Sequence, residues 1–300
     1  MPLTSNSVQI YYETFGKADH PALLLISGLG EQMVAWPEKF CRMLADSDLF
    51  VIRFDNRDSG FSTKPDLLKI PNLLATWGAY FKETSISPPY TLQDMAADAV
   101  SVLDALEIQK ACACGFSLGG MISQNMAFEF SRRLSSMICM GSSTGSLHLP
   151  PPAPEVQAVM ATPPPQTREE YIRHIVWVFN VFSGGSEFYD AECRAETAAQ
   201  SYDRCFHPIG FLRQSVAMLA DGSRQERLHK VEVPTLVLHG ESDPLVQPVH
   251  GRAIAEAVHN AELVIVPEWG HGLDYPRLWP LLIRHLADFL KSDPIFTGTA

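Results

Sequence analysis

The sequence has no uninterrupted apolar run near the roughly 20 residues that a membrane-spanning helix requires. Its start, Met1-Pro2-Leu3-Thr4-Ser5-Asn6, has neither a basic nor an apolar region, so no secretory signal is expected. Dense lysine or arginine stripes are missing as well, and with 34 acidic against 23 basic residues the net charge of −11 repels a phosphate backbone. Neither a membrane nor a nucleic acid is therefore an expected partner. Cysteine is sparse: Cys41, Cys112, Cys114, Cys139, Cys193 and Cys205 are scattered, and three fall in apolar runs where a thiol serves as a small apolar group. That usage suits a reducing, cytoplasmic setting. Cys112 and Cys114 face the same side of one strand and read as core, whereas a bridge between Cys193 and Cys205 stays open. No metal-ligand spacing stands out, since His239 and Glu241 share a strand end without a third ligand, so no metal and no cofactor is expected.

What is present is a well-cored α/β pattern: 46% hydrophobic against 19% charged residues marks a folded globule rather than a disordered chain. Val8 to Gly16 alternates like an antiparallel strand. Ala22 to Ser27, Phe50 to Asp55, Ala111 to Cys114, Leu134 to Met140, Pro234 to Gly240 and Ala261 to Val266 are short apolar runs of the kind buried on both faces. Helical patterns separate them, at Pro37 to Ala45, Thr91 to Leu106, Met121 to Phe128, Gly251 to Val258 and Pro276 to Leu290. This rhythm predicts a parallel sheet with crossover helices. Two stretches interrupt it. Residues 63–90 carry four prolines with Trp77, Tyr80 and Phe81, and read as an excursion over the active face or a loosely packed loop. Residues 146–230 carry two proline triplets and helical segments without a clear strand, and read as a helical insertion.

The chemistry centres on Gly115-Phe116-Ser117-Leu118-Gly119-Gly120, between an apolar strand and a helical pattern. A serine on such a strand-to-helix turn is held in a strained conformation that lifts its hydroxyl over the end of the sheet. An unaided hydroxyl is a weak nucleophile, so a base must lie within reach. His271 is the candidate, because it alone of the histidines sits between two glycines just after the last buried strand. Asp243 would fix its tautomer, although an aspartate in Ser-Asp-Pro also initiates turns, and Glu241 and Asp274 are reserve acids. The order Ser117, Asp243, His271 is that of hydrolases built on an open parallel sheet. An oxyanion hole would combine the amide of Leu118 with that of Leu29, or else Gly30.

On Ser27-Gly28-Leu29-Gly30, Asp55-Asn56-Arg57-Asp58-Ser59-Gly60, the serine turn, His239-Gly240-Glu241-Ser242-Asp243-Pro244 and Gly270-His271-Gly272, nearly the whole chain resembles the α/β-hydrolase-fold serine hydrolases. That group includes small esterases, lactonases and cofactor-free haloperoxidases, and the chain is most similar to its aclacinomycin-type methylesterases. One departure is Ser27, where many relatives carry histidine. The resemblance implies a mostly parallel eight-stranded sheet flanked by helices, with a helical cap inserted after the sixth strand. Residues 1–145 and 231–300 would then form the core and 146–230 the cap, with Gly28, Gly30, Trp177 and Phe182 lining a pocket between them. The expected activity is cofactor-free cleavage of a small to medium apolar carboxylic ester through an acyl-enzyme. A lactone, a carbon–carbon bond or a perhydrolysis reaction would use the same three residues. A ligand receptor or pseudoenzyme on this fold is the non-enzymatic alternative. The partner expected is a small-molecule ester, with monomer and homodimer both open.

Overall fold

The computed structural model describes residues 3–4, 7–65 and 70–292. Among them, seven strands form one sheet: β1 (Tyr12–Phe15), β2 (Ala22–Ile26), β3 (Phe50–Phe54), β4 (Ala111–Phe116), β5 (Leu134–Met140), β6 (Thr235–Gly240) and β7 (Glu262–Val266). Their spatial order is β1-β3-β2-β4-β5-β6-β7, parallel throughout except for β1, which runs antiparallel to β3. The sheet thus has seven described strands where the resemblance implied eight. At the expected outer edge, Leu3 meets Tyr11 in one isolated bridge and Thr4 N–H donates to Ile10 O at 3.1 Å, too short a ladder to make a strand.

Four helices, α1 (Glu38–Ala45), α2 (Leu73–Phe81), α3 (Leu92–Ala105) and α4 (Leu118–Glu129), precede β5. Five more separate β5 from β6: α5 (Pro154–Met160), α6 (Arg168–Phe182), α7 (Ala191–Arg204), α8 (Pro208–Asp221) and α9 (Gln225–Leu228). This helical stretch therefore follows the fifth observed strand rather than the sixth. The chain closes with α10 (Pro248–Ala257) and α11 (Trp279–Ser292). No helix of the described residues is long and apolar enough to cross a membrane.

Continuous apolar strands arise because alternate side chains enter two different cores. Leu24 and Ile26 of β2 join Met95, Met121, Ile122 and Ile254 from α3, α4 and α10. Leu23 and Leu25 join Phe40, Leu44, Leu282 and Leu286 from α1 and α11. Each fully buried leucine contributes about 1.5–3 kcal/mol, so a polar residue at any of these positions would cost either face. Cys112 and Cys114 do share one core, as their spacing predicts. Cys193 and Cys205 are both free. They lie near opposite ends of α7, and at about 1.5 Å rise per residue the helix holds them too far apart to bridge.

Helix starts follow local chemistry. Thr91 and Asp94 form a reciprocal capping box at α3. Within the expected excursion, Asn72 caps α2 by accepting from Ala75 N–H, but this apolar helix buries none of its residues, leaving Leu74 84% and Phe81 68% exposed. Residues 66–69 of the excursion lie outside the described residues.

The turn from β4 into α4 depends on close backbone approach. A β-carbon on Gly115 would overlap the Gly119 carbonyl, and one on Gly119 would overlap the Ile26 carbonyl of β2. Because the obstructing atoms are backbone, relief requires the helix to move. Gly119→Ala is expected to destabilise the protein by roughly 3 kcal/mol and lower its melting temperature by about 6 °C, read by thermal unfolding under circular dichroism. An unchanged melting temperature would contradict this packing.

Candidate active site

Ser117 stands at the turn with φ 54° and ψ −116°, a left-handed conformation that a side chain seldom adopts. Neighbouring bonds hold it there. Its N–H donates to Met140 O at 2.8 Å, and its carbonyl accepts from Gly120 N–H at 3.0 Å and from the Ser142 hydroxyl at 2.8 Å. The Ser117 side chain is half-buried, and Oγ makes no hydrogen bond among the described residues.

His271 lies in the loop after β7, and its Nδ1 donates to Asp243 Oδ2 at 2.7 Å. Asp243 occupies the loop after β6 and does two jobs: Oδ1 accepts from the amides of Leu245 (3.0 Å) and Val246 (2.8 Å), while Oδ2 takes the imidazole. The turn-forming reading of this aspartate and the histidine-orienting one hold together, one on each oxygen. His239 Nε2 donates to Val246 O at 2.6 Å and comes within 3.8 Å of Asp243 Oδ2. Burial pushes the His239 imidazole below its ordinary value, against a partial opposing pull from Asp243, so it stays neutral there. Serine and histidine converge through Phe116, whose ring centroid is 4.8 Å from that of His271. No hydrogen bond joins Ser117 Oγ to His271; the Asp243–His271 pair alone is directly bonded.

The loop after β2 faces this group. The amides of Leu29 and Leu118 donate to no partner among the described residues, and Leu118 is the first residue of α4, where helix amides are unpaired. Gly30 is different: its N–H donates to Gln214 Oε1 of α8 at 2.8 Å. Its φ of +71° and its contact with Phe211 both demand glycine. Of the two alternatives left by the sequence, the Gly30 amide is occupied and the Leu29 amide is open. Asn56 Nδ2 donates to Ser27 O at 3.1 Å, and the Ser59 hydroxyl to Glu31 O at 2.8 Å, fastening the loop to the segment after β3.

From the helical stretch, Phe182 ends α6. Its carbonyl accepts from His271 N–H at 2.8 Å, and its ring meets the imidazole edge-on at 6.2 Å. Trp177, 45% exposed, has His174 rather than His271 as its ring neighbour.

Sequence reasoning missed Gln214, Glu31 and Arg194. Arg194 of α7 is buried. Its Nη1 donates to Glu31 Oε1 at 3.0 Å and lies 3.5 Å from Asp274 Oδ2, with the guanidinium 3.6 Å over the Phe179 ring. Asp274, treated above as a reserve acid, is thus engaged with Arg194 and not with His271. Burial drives its carboxyl up to about 6, while Arg194 pulls it down and Glu31 pushes it further up. A different serine, Ser143, does bond a histidine: its Oγ lies 2.8 Å from His250 Nδ1, whose ring has Pro150 O on the other nitrogen and no carboxylate bonded to it. Among the described residues no group of three or more histidine, cysteine or acidic side chains could hold a metal ion.

A family model of the alpha/beta hydrolase fold matches residues 21–184, and a model described as TAP-like protein matches residues 217–279. The chain belongs to the α/β-hydrolase fold family. It is 27% identical to the rhodomycin D methylesterase DnrP of Streptomyces peucetius over 90% of this chain and 91% of that one. It is 25% identical to 3-oxoadipate enol-lactonase 2 of Acinetobacter baylyi over 88% and 87%. The solved structure of 2-hydroxy-6-oxo-6-phenylhexa-2,4-dienoate hydrolase from Rhodococcus sp. strain RHA1 superposes with a TM-score of 0.73 at 18% identity, covering 97% of this chain and 98% of that one.

The raised Asp274 carboxyl makes stability depend on pH. The folded state binds this proton more tightly than the unfolded chain, whose value is 3.8, so the contribution is full below about 4 and lost as pH rises through about 6. Asp274→Asn removes that dependence. Between pH 4 and 7 the unfolding free energy of the variant should therefore gain about 2–3 kcal/mol relative to wild type, measured by denaturant titration at both values. A constant difference would show that Asp274 titrates normally.

Proposed function

We propose that the protein is a serine hydrolase cleaving a carboxylic ester of a small to medium apolar substrate through an acyl-enzyme. The observation that carries this reading is the Asp243–His271 hydrogen bond beside a serine held in a left-handed turn. With Nδ1–H given to Asp243, His271 keeps its Nε2 lone pair to accept a proton. Ser117 Oγ attacks the ester carbonyl carbon as its proton passes to Nε2, and the carbonyl π pair moves to oxygen. The open amides of Leu29 and Leu118 receive that oxyanion. Collapse expels the alcohol, which takes the proton back from Nε2, and leaves an acyl-Ser117 ester. Water, deprotonated by the same imidazole, attacks this ester, and collapse releases the acid as Ser117 Oγ takes the proton back from Nε2.

Residues 146–230 act in this reading as a cap over a core of 1–145 and 231–300. Contacts of Phe182 with His271, Gln214 with Gly30, and Arg194 with Glu31 support that role. The methylesterase and lactonase names of the relatives support an ester-type bond, and a lactone would be opened by the same steps.

Ser117→Ala should lower kcat for p-nitrophenyl butyrate at least about a thousandfold, and Asp243→Asn by about four orders of magnitude, with both variants melting near wild type. Undiminished turnover by Ser117→Ala would refute the assignment.

A further inference from the structure

Glu31 lies two residues beyond Leu29, in the loop that carries the open amide. Its carboxylate is fixed rather than mobile, since Oε1 accepts from Arg194 Nη1 at 3.0 Å and the side chain is only 16% exposed. The other oxygen, Oε2, has no hydrogen-bond partner among the described residues and is not sealed from solvent. The absent side chain of Gly28 locates it. A β-carbon on Gly28 would stand 3.1 Å from Glu31 Oε2 and 3.6 Å from the Ser117 β-carbon. A free carboxylate oxygen and the nucleophile therefore flank the same small space.

The charge around that oxygen is not neutralised by its surroundings. Arg194 is shared between Glu31 and Asp274, so one guanidinium faces two carboxyls. Arg194 Nε is buried without a partner, so the cluster is not closed on itself. An acceptor so placed, with excess negative charge behind it, attracts a hydrogen-bond donor and repels an anion.

Building on the ester-hydrolase reading, we propose that Glu31 is a specificity-determining residue that selects esters bearing a hydrogen-bond donor, a hydroxyl or an ammonium, two or three bonds from the reacting carbonyl, and excludes acyl groups bearing a carboxylate. Arg194 is its positioning residue: it holds Oε1 so that Oε2 faces the substrate. The short reach is taken from the geometry at Gly28, where one carbon position touches both Glu31 Oε2 at 3.1 Å and the Ser117 β-carbon at 3.6 Å.

Binding measured without turnover separates this claim from the hydrolase reading. The full chain carrying Ser117→Ala is titrated calorimetrically with methyl 3-hydroxybutyrate, methyl 3-aminobutyrate, methyl butyrate and monomethyl succinate. A hydrogen bond to a charged acceptor is worth roughly tenfold or more in affinity, so the hydroxy or amino ester should bind about tenfold tighter than the butyrate, and the succinate weaker than the butyrate. Adding Glu31→Gln should shrink the donor preference to below about threefold and remove the penalty on succinate. Glu31→Asp, which keeps the charge and shortens the reach, should lose the preference as well, so that either folded variant reports. Equal affinities for the donor and butyrate esters, a preference that survives Glu31→Gln, or no binding by any of the four would overturn the proposal. Failure of the Ser117-containing protein to turn over these esters would instead strike the hydrolase reading while the affinity ratios stood.

Discussion

The left-handed backbone at Ser117 is the constraint on which the remaining architecture depends. A side chain at φ 54° carries a steric cost of order 1–3 kcal/mol, and it persists only where the surroundings over-determine it. Here β4 supplies one side of the clamp, β5 the next through Met140 O, and α4 the third through Gly120 N–H. Helix and sheet can close this tightly because no β-carbon intervenes at Gly115 or Gly119. The hydroxyl is thereby lifted to the carboxyl end of the sheet, where the loops after β6 and β7 deliver Asp243 and His271.

The helical stretch between β5 and β6 holds the loops after β2 and β7. Two loops are each held by two helices: Gln214 of α8 holds Gly30, Phe182 of α6 holds the His271 backbone, and Arg194 of α7 stands between Glu31 of the first loop and Asp274 of the second. Further ion pairs, Arg204 with Asp55 at 2.5 Å and Arg213 with Asp58 at 3.0 Å, fasten α7 and α8 to the segment after β3. Buried ion pairs contribute little net stability but are costly to break one partner at a time, so they fix register. Arg194 thereby joins the loop after β2 to the loop after β7.

Much of this was legible in the sequence because it is local. Buried strands such as Ala22–Ile26 announce themselves as continuous apolar runs, and the serine turn brings its glycines with it. Asp243 was harder, since a turn signal and a histidine-orienting one coincide there; Oδ1 takes the turn amides and Oδ2 the imidazole. What could not be read depends on distant contacts. Gln214 reaches Gly30 across 184 positions and Arg194 reaches Glu31 across 163, with no spacing rule to link them. The extent of β1 is similar: alternation from Val8 to Gly16 suggested a longer strand than Tyr12–Phe15, because pairing rather than pattern sets where a ladder ends.

In the proposed reaction Ser117, and no other serine, is the nucleophile. Its most direct test is reaction of the native protein with a fluorophosphonate, followed by peptide mass spectrometry. With Ser117 as the nucleophile, a single adduct forms on the peptide containing Ser117, and it forms far more slowly in His271→Ala. An adduct on Ser143, whose Oγ is hydrogen-bonded to His250, or no adduct on folded protein, would contradict that assignment.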